Sequence, residues 1–475
     1  MQFTDPLFLF YFLPLALLIF RVASLGNRFT MAARYSIIVA TLAFYAYENW
    51  FWCFLFFIVI GGIYICTLPV WMSKNPVIRR VGVGVAILFA LLSLSLFKYI
   101  NWFVSFCPQF KPLQDILLPY FGKDGSIVLP PGISFYVFEA ISFTIDAYRG
   151  QINRRVRWMD YLTFLAMFPR FIAGPIVRYG DMAAQFATWS GPHYSRGLSI
   201  FGLGFILKSL FADQFAVFVP YAFGTHSPDM LQAWVGALSY TFQLYFDFWG
   251  YSLMAIGLGL CLGFIFPDNF RSPYRAFSIT DFWRRWHITL SNWLRDYLYI
   301  SLGGNRQAPW RVAMNLLITM GIAGLWHGAG FTFVVWGFYH GGLLVVERMV
   351  GEHRLKIFPV RIRQVATFML VLVGWVVFRS DSFDQAARVL GGMSGMNGFA
   401  QYFNPLLVQK HIPSLILLVA AGMFWLFIEP HVVGQGALAT RVFPLRVQYL
   451  TFIIFVLALL FNLSSQEIPF LYFQF

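Results

Sequence analysis

Long apolar runs, separated by short connections, are the feature of this sequence that most limits how it can fold. The stretch from Val81 to Phe97 is almost continuously apolar, and so is the stretch from Ile37 to Tyr45. A helix needs about 20 mostly apolar residues to cross the hydrocarbon core of a bilayer. Only 11% of the 475 residues are charged, against about a quarter in soluble domains. The sequence therefore predicts an all-α polytopic membrane protein, since an outer-membrane barrel would show short alternating segments.

Apolar segments that can enter a membrane recur along the whole chain. They lie near residues 7–25, 34–49, 51–72, 81–104, 128–148, 160–178, 197–222, 231–265, 311–330, 331–349, 362–379, 412–430 and 447–463. Because the sequence contains no internal repeat at a fixed period and no low-complexity linker, we expect a single membrane domain over 1–475. Its parts are N-terminal spans at 1–158, a core at 159–349 and C-terminal spans at 350–475, with an extramembrane stretch at 380–411.

The charged connections between the first five spans predict the orientation of the chain. Basic residues concentrate in alternate loops, whereas the connection from Glu48 to Trp50 has none. The basic loops hold Arg21, Arg28 and Arg34, then Lys74, Arg79 and Arg80, then Arg149, Arg154, Arg155 and Arg157. By the positive-inside rule these loops are cytoplasmic and the N-terminus lies outside. This distribution accounts for the formal net charge of +14 without a nucleic-acid partner, although anionic membrane lipid or a phosphate-bearing donor could also bind at the cytoplasmic face.

The stretch from Asn269 to Arg306 carries too much charge to face lipid. Its charged and ionisable residues are Arg271, Arg275, Asp281, Arg284, Arg285, His287, Arg295, Asp296 and Arg306. Backbone at membrane depth that is not a clean span must be buried in protein or line a wet cavity. We therefore expect a ring of roughly 11–13 transmembrane or re-entrant helices around a polar central funnel and channel that receives this segment.

The segment from Asp281 to Ile300 has the period of an amphipathic helix. Apolar and aromatic residues share one stripe, and Arg284, His287, Ser291 and Arg295 share another. The apolar stripe consists of Phe282, Trp286, Leu290, Trp293 and Tyr297. Asp281 and Arg285 are spaced as an i, i+4 ion pair. Two interpretations stay open: a helix lying on the cytoplasmic membrane surface, and a cationic groove for the phosphates of a donor or for an acyl carrier.

A histidine lies inside an apolar, glycine-rich run. His327 is flanked by Gly321, Gly324, Gly328 and Gly330. An ionisable group in such a run is costly enough to indicate function, and glycines four residues apart allow a helix or a substrate to approach the backbone. The imidazole is either hydrogen-bonded within tight helix packing or, with an unperturbed pKa of about 6.5, available as a general base toward a hydroxyl.

The sequence predicts no metal site. His327 and His340 are 13 residues apart, which on a straight helix corresponds to about 20 Å of rise, so they cannot chelate one ion. Four cysteines are scattered without a CxxC pair. By itself, His340 is more simply a packing residue or a support for the site.

Taken together, the motifs resemble those of the membrane-bound O-acyltransferase family, and within it the bacterial branch that acetylates polysaccharides such as alginate. The residues that carry the resemblance are Leu129 to Tyr136, Asp146 to Gly150, Phe168 to Pro175, Gln243 to Tyr251, Phe282 to His287, Leu294 to Arg306, Trp326 to Gly328 and Pro469 to Phe475. The match runs from one end of the chain to the other. One position departs from the family pattern, since Arg170 stands where members often have histidine.

The resemblance implies a membrane-bound acyltransferase in the bacterial inner membrane, with His327 as the catalytic residue and His287 as the second functional position. It also implies transfer of an acyl group, most simply acetyl, from a cytoplasmic thioester such as acetyl-CoA to an exopolysaccharide such as alginate or cellulose. Periplasmic acetyltransferase proteins and the polysaccharide export machinery are the expected partners, and no bound cofactor is expected. We expect substrate or donor contacts at Arg284, Arg285, Ser291, Arg295, Trp326 and His340.

Two other functions are compatible with parts of this pattern. Within the same family, the alternative is D-alanyl transfer to teichoic acid. From a different class, the alternative is a transporter of glycolipid or polysaccharide, although such transporters usually contain repeats and line a path with charged residues. The motifs do not identify the polysaccharide, and no nucleophile stands out beside His327.

Overall fold

The computed structural model describes residues 1–24, 28–172, 174–399, 444–464 and 468–471, together with the single positions 419 and 422. In this part of the chain the strands are limited to one antiparallel pair, β1 (Gly122–Lys123) and β2 (Ser126–Ile127). Everything else that is regular is helical, so the predicted all-α class is confirmed. Two compact units are present, one of residues 1–201 and 252–267 and one of residues 202–251 and 268–475. The single domain and the ring of helices stay predictions.

The described residues of the first unit form eight α-helices of eight or more residues and parts of two more. They are α1 (Leu13–Ala23), α2 (Met31–Ala46), α3 (Phe51–Thr67), α4 (Pro76–Phe106), α5 (Lys111–Phe121), α6 (Ile133–Tyr148), α7 (Trp158–Leu165) and α8 (Tyr179–Ala187). Helices α9 (Tyr194–Ile206) and α10 (Met230–Cys261) contribute to both units. Local sequence explains where several of them begin: Asn75 caps α4 by accepting from the Val77 N–H, and Pro76 at the first position needs no hydrogen-bond partner for its nitrogen.

The described residues of the second unit form seven further α-helices of five or more residues. They are α11 (Ile279–Trp283), α12 (Ile288–Trp293), α13 (Pro309–His327), α14 (Phe331–Val350), α15 (Val360–Arg379), α16 (Phe383–Met393) and α17 (Leu445–Ser464), with π-helical turns at Leu207–Ala212 and Leu294–Tyr299. Helices α13 and α14 form an antiparallel hairpin whose backbones touch at glycines. A Cβ added at Gly324 would lie 2.2 Å from the Phe333 carbonyl oxygen, and one at Gly337 would lie 2.2 Å from the Met320 carbonyl oxygen. The close helix approach that the glycine spacing predicts is therefore present.

Six described stretches are long and apolar enough to cross a membrane. They are Phe51–Met72, Pro76–Phe106, Tyr194–Phe223, Met230–Cys261, Val360–Arg379 and Leu445–Leu463. Each coincides with a predicted apolar segment, so the prediction of a multi-pass membrane protein is confirmed. The segment predicted near 160–178 is divided between α7 and the short turn Phe168–Phe171, since Pro169 and Pro175 cannot donate to a helix interior. The segment near 412–430 lies outside the described residues except for positions 419 and 422, and so does the end of the stretch at 380–411, from residue 400 onward.

A buried ion pair holds the middle of the first unit together. The Arg170 guanidinium donates to Glu139 Oε1, and both side chains are almost completely buried. Glu139 Oε1 also accepts from the Val177 N–H at 3.1 Å, and Arg170 donates to the Phe164 carbonyl oxygen. Arg170, the residue that departs from the family pattern, therefore has a structural partner on α6. Removing one member of such a pair leaves an uncompensated buried charge.

We expect Arg170→Met to lower the free energy of unfolding by about 3–5 kcal/mol, because the Glu139 carboxylate then loses its cation. The double variant Glu139→Gln/Arg170→Met should recover most of this loss. Denaturant unfolding of the detergent-solubilised protein, followed by tryptophan fluorescence, measures both. Arg157→Met is the matched control, because that side chain is 84% exposed and pairs with Asp160 at 3.3 Å. Equal stability of Arg170→Met and this control would contradict the role of the pair.

Candidate active site

The charged segment from Asp281 to Ile300 is folded differently from the single amphipathic helix that its period predicts. Helix α11 ends at Trp283, α12 begins at Ile288, and a π-helical turn follows. Between the two helices His287 has φ +41° and ψ +56°, the left-handed conformation that L residues seldom adopt. The prediction of one continuous helix is wrong, whereas the position of this segment relative to the membrane surface stays a prediction. Periodicity could not detect the break, because the predicted apolar stripe is buried on both sides of it.

The imidazole of His287 is oriented by one buried side chain, Asn269. His287 Nδ1 lies 3.1 Å from Asn269 Oδ1. The same oxygen accepts from the Thr289 hydroxyl at 2.7 Å and from the Thr289 N–H at 3.3 Å. An atom that accepts from Thr289 must be the amide oxygen, so the hydrogen-bond network assigns the proton to His287 Nδ1. His287 Nε2 is then the unprotonated nitrogen, and burial lowers the pKa of His287 to about 3, which keeps the ring neutral.

His327 lies at the last residue of α13 and is 6% exposed. Its ring packs edge to face against Trp336 at 5.1 Å and Phe378 at 5.3 Å between centroids. The neighbouring Trp326 ring lies 4.9 Å from His327 and 5.9 Å from His287. Trp326 therefore contacts both histidines that the sequence singled out, although they are 40 residues apart in the chain. The Trp-His-Gly motif and the Arg-Trp-His motif belong to one buried cluster.

His340 belongs to the same aromatic cluster. It follows Trp336 by one helical turn on α14, and the two rings are 5.1 Å apart. Phe282, Trp283 and Trp375 also contact the imidazole, which is completely buried. The rings of His327 and His340 each contact Trp336. Among the described residues no group of three or more His, Cys, Asp or Glu side chains could hold a metal ion.

The other predicted contact residues lie outside this cluster. Arg285 pairs with Asp281 at 2.8 Å, as the i, i+4 spacing predicts. Arg295 pairs with its neighbour Asp296 at 2.7 Å and is 58% exposed. The Ser291 hydroxyl donates to the Trp286 carbonyl oxygen at 3.2 Å. The side chains of Arg285, Ser291 and Arg295 thus bind partners that are close in the sequence. Arg284 differs from them because it lines a cavity.

Arg284 lines a cavity of about 350 Å³ in the second unit. Two further arginines, Arg348 and Arg363, line the same cavity, as do the carboxylates of Asp281 and Glu347. Both carboxylates already have partners. Asp281 pairs with Arg285, and Glu347 Oε2 accepts from the Ile279 N–H at 2.7 Å at the start of α11. The cavity therefore contains three guanidinium groups, of which that of Arg348 also donates to Asn305 Oδ1 at 3.1 Å, and they outnumber the one carboxylate, Glu347, that has no arginine partner.

The comparisons with known proteins bear on what this cluster does. A model of the membrane-bound O-acyltransferase family matches residues 151–380. The Pseudomonas putida protein called "Probable alginate O-acetylase AlgI" is 38% identical over 507 aligned positions, which cover 100% of both chains. Its Pseudomonas syringae counterpart is 42% identical over 83% of this chain and 75% of its own. The chain belongs to the membrane-bound O-acyltransferase family. A peptidoglycan O-acetyltransferase of Helicobacter pylori is 35% identical over 83% of this chain and 80% of its own.

Membership of the family confirms the resemblance drawn from the motifs. The protein is a membrane-bound O-acyltransferase, and its relatives support O-acyl transfer to polysaccharide. The long motif block around His287 and the Trp-His-Gly motif both fall within the matched residues 151–380. The roles of the individual site residues stay predictions.

Four residues of the candidate site are not singled out by the sequence. Asn269 marks only the boundary of the charged segment, and Trp336 and Phe378 have the composition of ordinary apolar helix residues. Arg348 lies in the last turn of α14, at the start of a basic stretch that continues into α15 and could have indicated an anion site. The aromatic residues carry no comparable signal, because tryptophan in an apolar helix is expected on packing grounds.

We expect Asn269→Ala to reduce polysaccharide acylation by about tenfold to a hundredfold, because His287 loses the acceptor that fixes its ring and its tautomer. Ester-linked acyl groups on the secreted polymer, normalised to the protein level in the membrane, measure this. Asn315→Ala is the matched control: Asn315 is also a buried asparagine, but it donates to the Leu302 and Gly304 carbonyl oxygens. Equal acylation by the two variants would contradict the orienting role of Asn269.

Proposed function

We propose that the protein transfers an acetyl group from a cytoplasmic thioester to a hydroxyl group destined for an exopolysaccharide, with His327 as general base. The observation that carries this proposal is the buried cluster in which Trp326 contacts both His327 and His287. Two buried imidazoles from distant motifs, in a chain of the membrane-bound O-acyltransferase family, support proton transfer to or from a reacting hydroxyl. Alginate is the first acceptor to test, because the alginate O-acetylase relatives match along 75–100% of their length. Cellulose is the second.

The chemistry needs one base and one leaving thiolate. The His327 imidazole accepts the proton of the attacking hydroxyl while that oxygen forms a bond to the thioester carbonyl carbon. The carbon–sulfur bond then breaks, and the imidazolium returns its proton to the departing thiolate. The attacking hydroxyl belongs to the acceptor or to a relay that hands the acetyl group on. Burial of the cluster keeps water from hydrolysing the thioester.

In this proposal His287 does not donate a hydrogen bond to the oxyanion that develops on the thioester carbonyl. Its proton lies on Nδ1, facing Asn269, so Nε2 can accept a hydrogen bond but cannot donate one to a developing oxyanion. We assign its Nε2 to accept a hydrogen bond from a second, non-reacting hydroxyl group of the acceptor. This bond orients the acceptor and leaves the proton of the attacking hydroxyl available to His327. The aromatic walls around both rings support a site from which bulk water is excluded.

The arginine-lined cavity is the proposed site for the phosphates of the donor. Guanidinium groups bind phosphate oxygens through paired, charge-assisted hydrogen bonds. Arg284 and Arg348 are exposed there, and the Arg363 guanidinium lies 5.0 Å from the centre of the Phe277 ring. A donor that combines phosphates with a thioester, such as acetyl-CoA or an acylated carrier protein, matches this chemistry. The donor would be a substrate, and no bound cofactor is part of the proposal.

The separation of the cavity from the histidines also favours such a donor. Glu347 at the cavity and Trp336 beside His327 lie eleven residues apart on α14, which corresponds to roughly 16 Å along the helix axis. Coenzyme A and acyl carrier proteins both carry their thioester on a long flexible arm. A donor whose phosphates are bound by the arginines can thus place the thioester at the end of its arm next to the buried imidazole.

The positive-inside rule supports a cytoplasmic position for the cavity. From the last turn of α14 to the first turn of α15 the chain carries five basic residues: Arg348, Arg354, Lys356, Arg361 and Arg363. Such a concentration next to spans is retained on the cytoplasmic side. We therefore propose that the protein lies in the bacterial inner membrane with its N-terminus outside. Periplasmic acetyltransferases and the export machinery would then receive the acetyl group on the opposite side.

We expect His327→Ala to abolish ester-linked acetate on the secreted polysaccharide while the yield of polymer stays unchanged. The variant and the wild-type protein are expressed at equal membrane levels in a strain lacking the native gene, and mass spectrometry measures acetate and identifies the sugars. Unchanged acetate would overturn the role of His327, and a fall in polymer yield would favour transport. D-alanine esters in place of acetate would favour the chemistry of teichoic acid D-alanyltransferase, whose Bacillus subtilis representative is 27% identical over 53% of this chain.

We expect the double variant Arg284→Gln/Arg348→Gln to raise the KM for acetyl-CoA in proteoliposomes by about tenfold or more with little change in kcat, because the lost contacts bind the donor equally in the ground and transition states. The KM of the wild-type protein should also rise with ionic strength. Arg311→Gln is the matched control, since Arg311 lies against Trp310 and does not line the cavity. An unchanged KM in the double variant would remove the cavity from the donor path.

A further inference from the structure

A buried ion pair joins two candidate membrane spans of the second unit. Lys208 Nζ lies 3.0 Å from Asp247 Oδ1, and the two side chains are 2% and 1% exposed. Lys208 also donates to Asp213, which the five-residue spacing of the π-helical turn brings next to it. Gly250 permits this close packing, since a Cβ there would lie 2.7 Å from the Gly204 carbonyl oxygen. Charged residues within membrane spans are costly and usually functional.

The ion pair holds a short segment that is distant in sequence. Lys208 Nζ donates to the Ile468 carbonyl oxygen at 3.0 Å, and Asp247 Oδ2 accepts from the Leu471 N–H at 2.8 Å. The two members of the pair thus bind the two ends of the segment Ile468–Leu471, which we call the strap. More than 200 residues separate the strap from either partner in the chain.

The strap places one aromatic ring behind the histidine site. Phe470 is completely buried and stacks on Tyr251 at 4.4 Å between centroids. It also lies 6.1 Å from Phe248, whose ring packs edge to face on the His287 imidazole at 4.7 Å. An unbroken series of contacts therefore runs from the ion pair through the strap and Phe248 to His287.

We propose that Lys208, Asp247 and Phe470 are positioning residues for His287, acting through the strap. Asn269 holds the Nδ1 side of the imidazole by a hydrogen bond, and the Phe248 ring, supported by Phe470, holds its face. The left-handed backbone of His287 makes this second support necessary, because such a conformation persists only where the surroundings enforce it. The proposal rests on the assignment of His287 to the proposed function.

The ion pair suits this task better than an apolar contact would. A backbone carbonyl and a backbone N–H at membrane depth both need a hydrogen-bond partner. Lys208 supplies a donor to the first and Asp247 an acceptor to the second, and the ammonium of Lys208 lies next to the carboxylates of both Asp247 and Asp213. Buried polar groups that bind one another favour one arrangement of the chain. The pair thus fixes where Phe470 enters the protein.

The test uses a readout that does not depend on activity. Diethylpyrocarbonate modifies accessible, neutral imidazoles, and peptide mass spectrometry gives the rate for each histidine of the purified full-length protein in detergent. We expect Phe470→Ala to raise the modification rate of His287 about tenfold relative to the exposed His353 in the same sample, because release of the strap opens the site locally. Phe452→Ala, on the exposed face of α17, is the matched control and should leave the rate unchanged.

A second pair of variants tests the hydrogen bond between Asp247 and the strap. Asp247→Ala removes the acceptor for the Leu471 N–H, whereas Asp247→Asn retains an oxygen at the same place. We expect Asp247→Ala to behave like Phe470→Ala, and Asp247→Asn to restore the slow modification of His287 to within about twofold of the wild-type rate. Equal modification rates for the two substitutions would overturn the proposed role of Asp247, because only Asp247→Asn keeps an acceptor for the Leu471 N–H.

Acetate on the secreted polysaccharide completes the test. We expect Phe470→Ala to lower it about tenfold, in parallel with the change at His287. Unchanged acetate in Phe470→Ala, with His287→Ala inactive, would overturn the strap proposal alone. Full activity of His287→Ala would instead show that the proposed role of His287 is wrong, and the strap proposal would fall with it. Lower acetate in Phe470→Ala without faster modification of His287 would also overturn positioning of His287 by the strap.

Discussion

The candidate site depends first on the close contact between the backbones of α13 and α14. Gly324 and Gly337 have no side chain, so each lies against a carbonyl oxygen of the opposite helix. This contact brings His327 and Trp326, at the end of one helix, beside Trp336 on the other. A larger residue at either glycine would separate the helices and, with them, the aromatic walls of the site. In a membrane, where lipid is as apolar as leucine, such close packing is a main source of helix association.

The second requirement is control of the protonation state and tautomer of the buried His287 imidazole. His287 is neutral because it is buried, and its tautomer follows from Asn269, whose oxygen also binds Thr289. The left-handed backbone at His287 turns the chain between α11 and α12, which lets the imidazole face Trp326 while Arg284 lies at a cavity of its own. One short motif thereby supplies both a buried ring and an exposed cation. In the proposed function these two parts serve the acceptor and the donor.

Much of the fold and part of the site could be predicted from the sequence. The apolar runs predict the spans Pro76–Phe106 and Met230–Cys261 within a few residues, because lipid requires both length and hydrophobicity. The motif residues predict the family and single out His287 and His327. The spacing of Asp281 and Arg285 predicts their ion pair, which is local. The break at His287 was not predictable, since the apolar stripe continues across it with an unchanged period.

The sequence by itself therefore determined that the chain is a helical membrane protein, which family it resembles, and that His327 is unusual for an apolar run. These properties depend on local composition and on short motifs, and the sequence displays both. Only the tertiary structure decided that Trp326 contacts both histidines, that Asn269 orients one of them, and that Lys208 and Asp247 hold the strap. Each of these contacts joins residues far apart in the chain. Their formation depends on how buried surfaces and unpaired polar groups are matched across the fold, which no single stretch of sequence specifies.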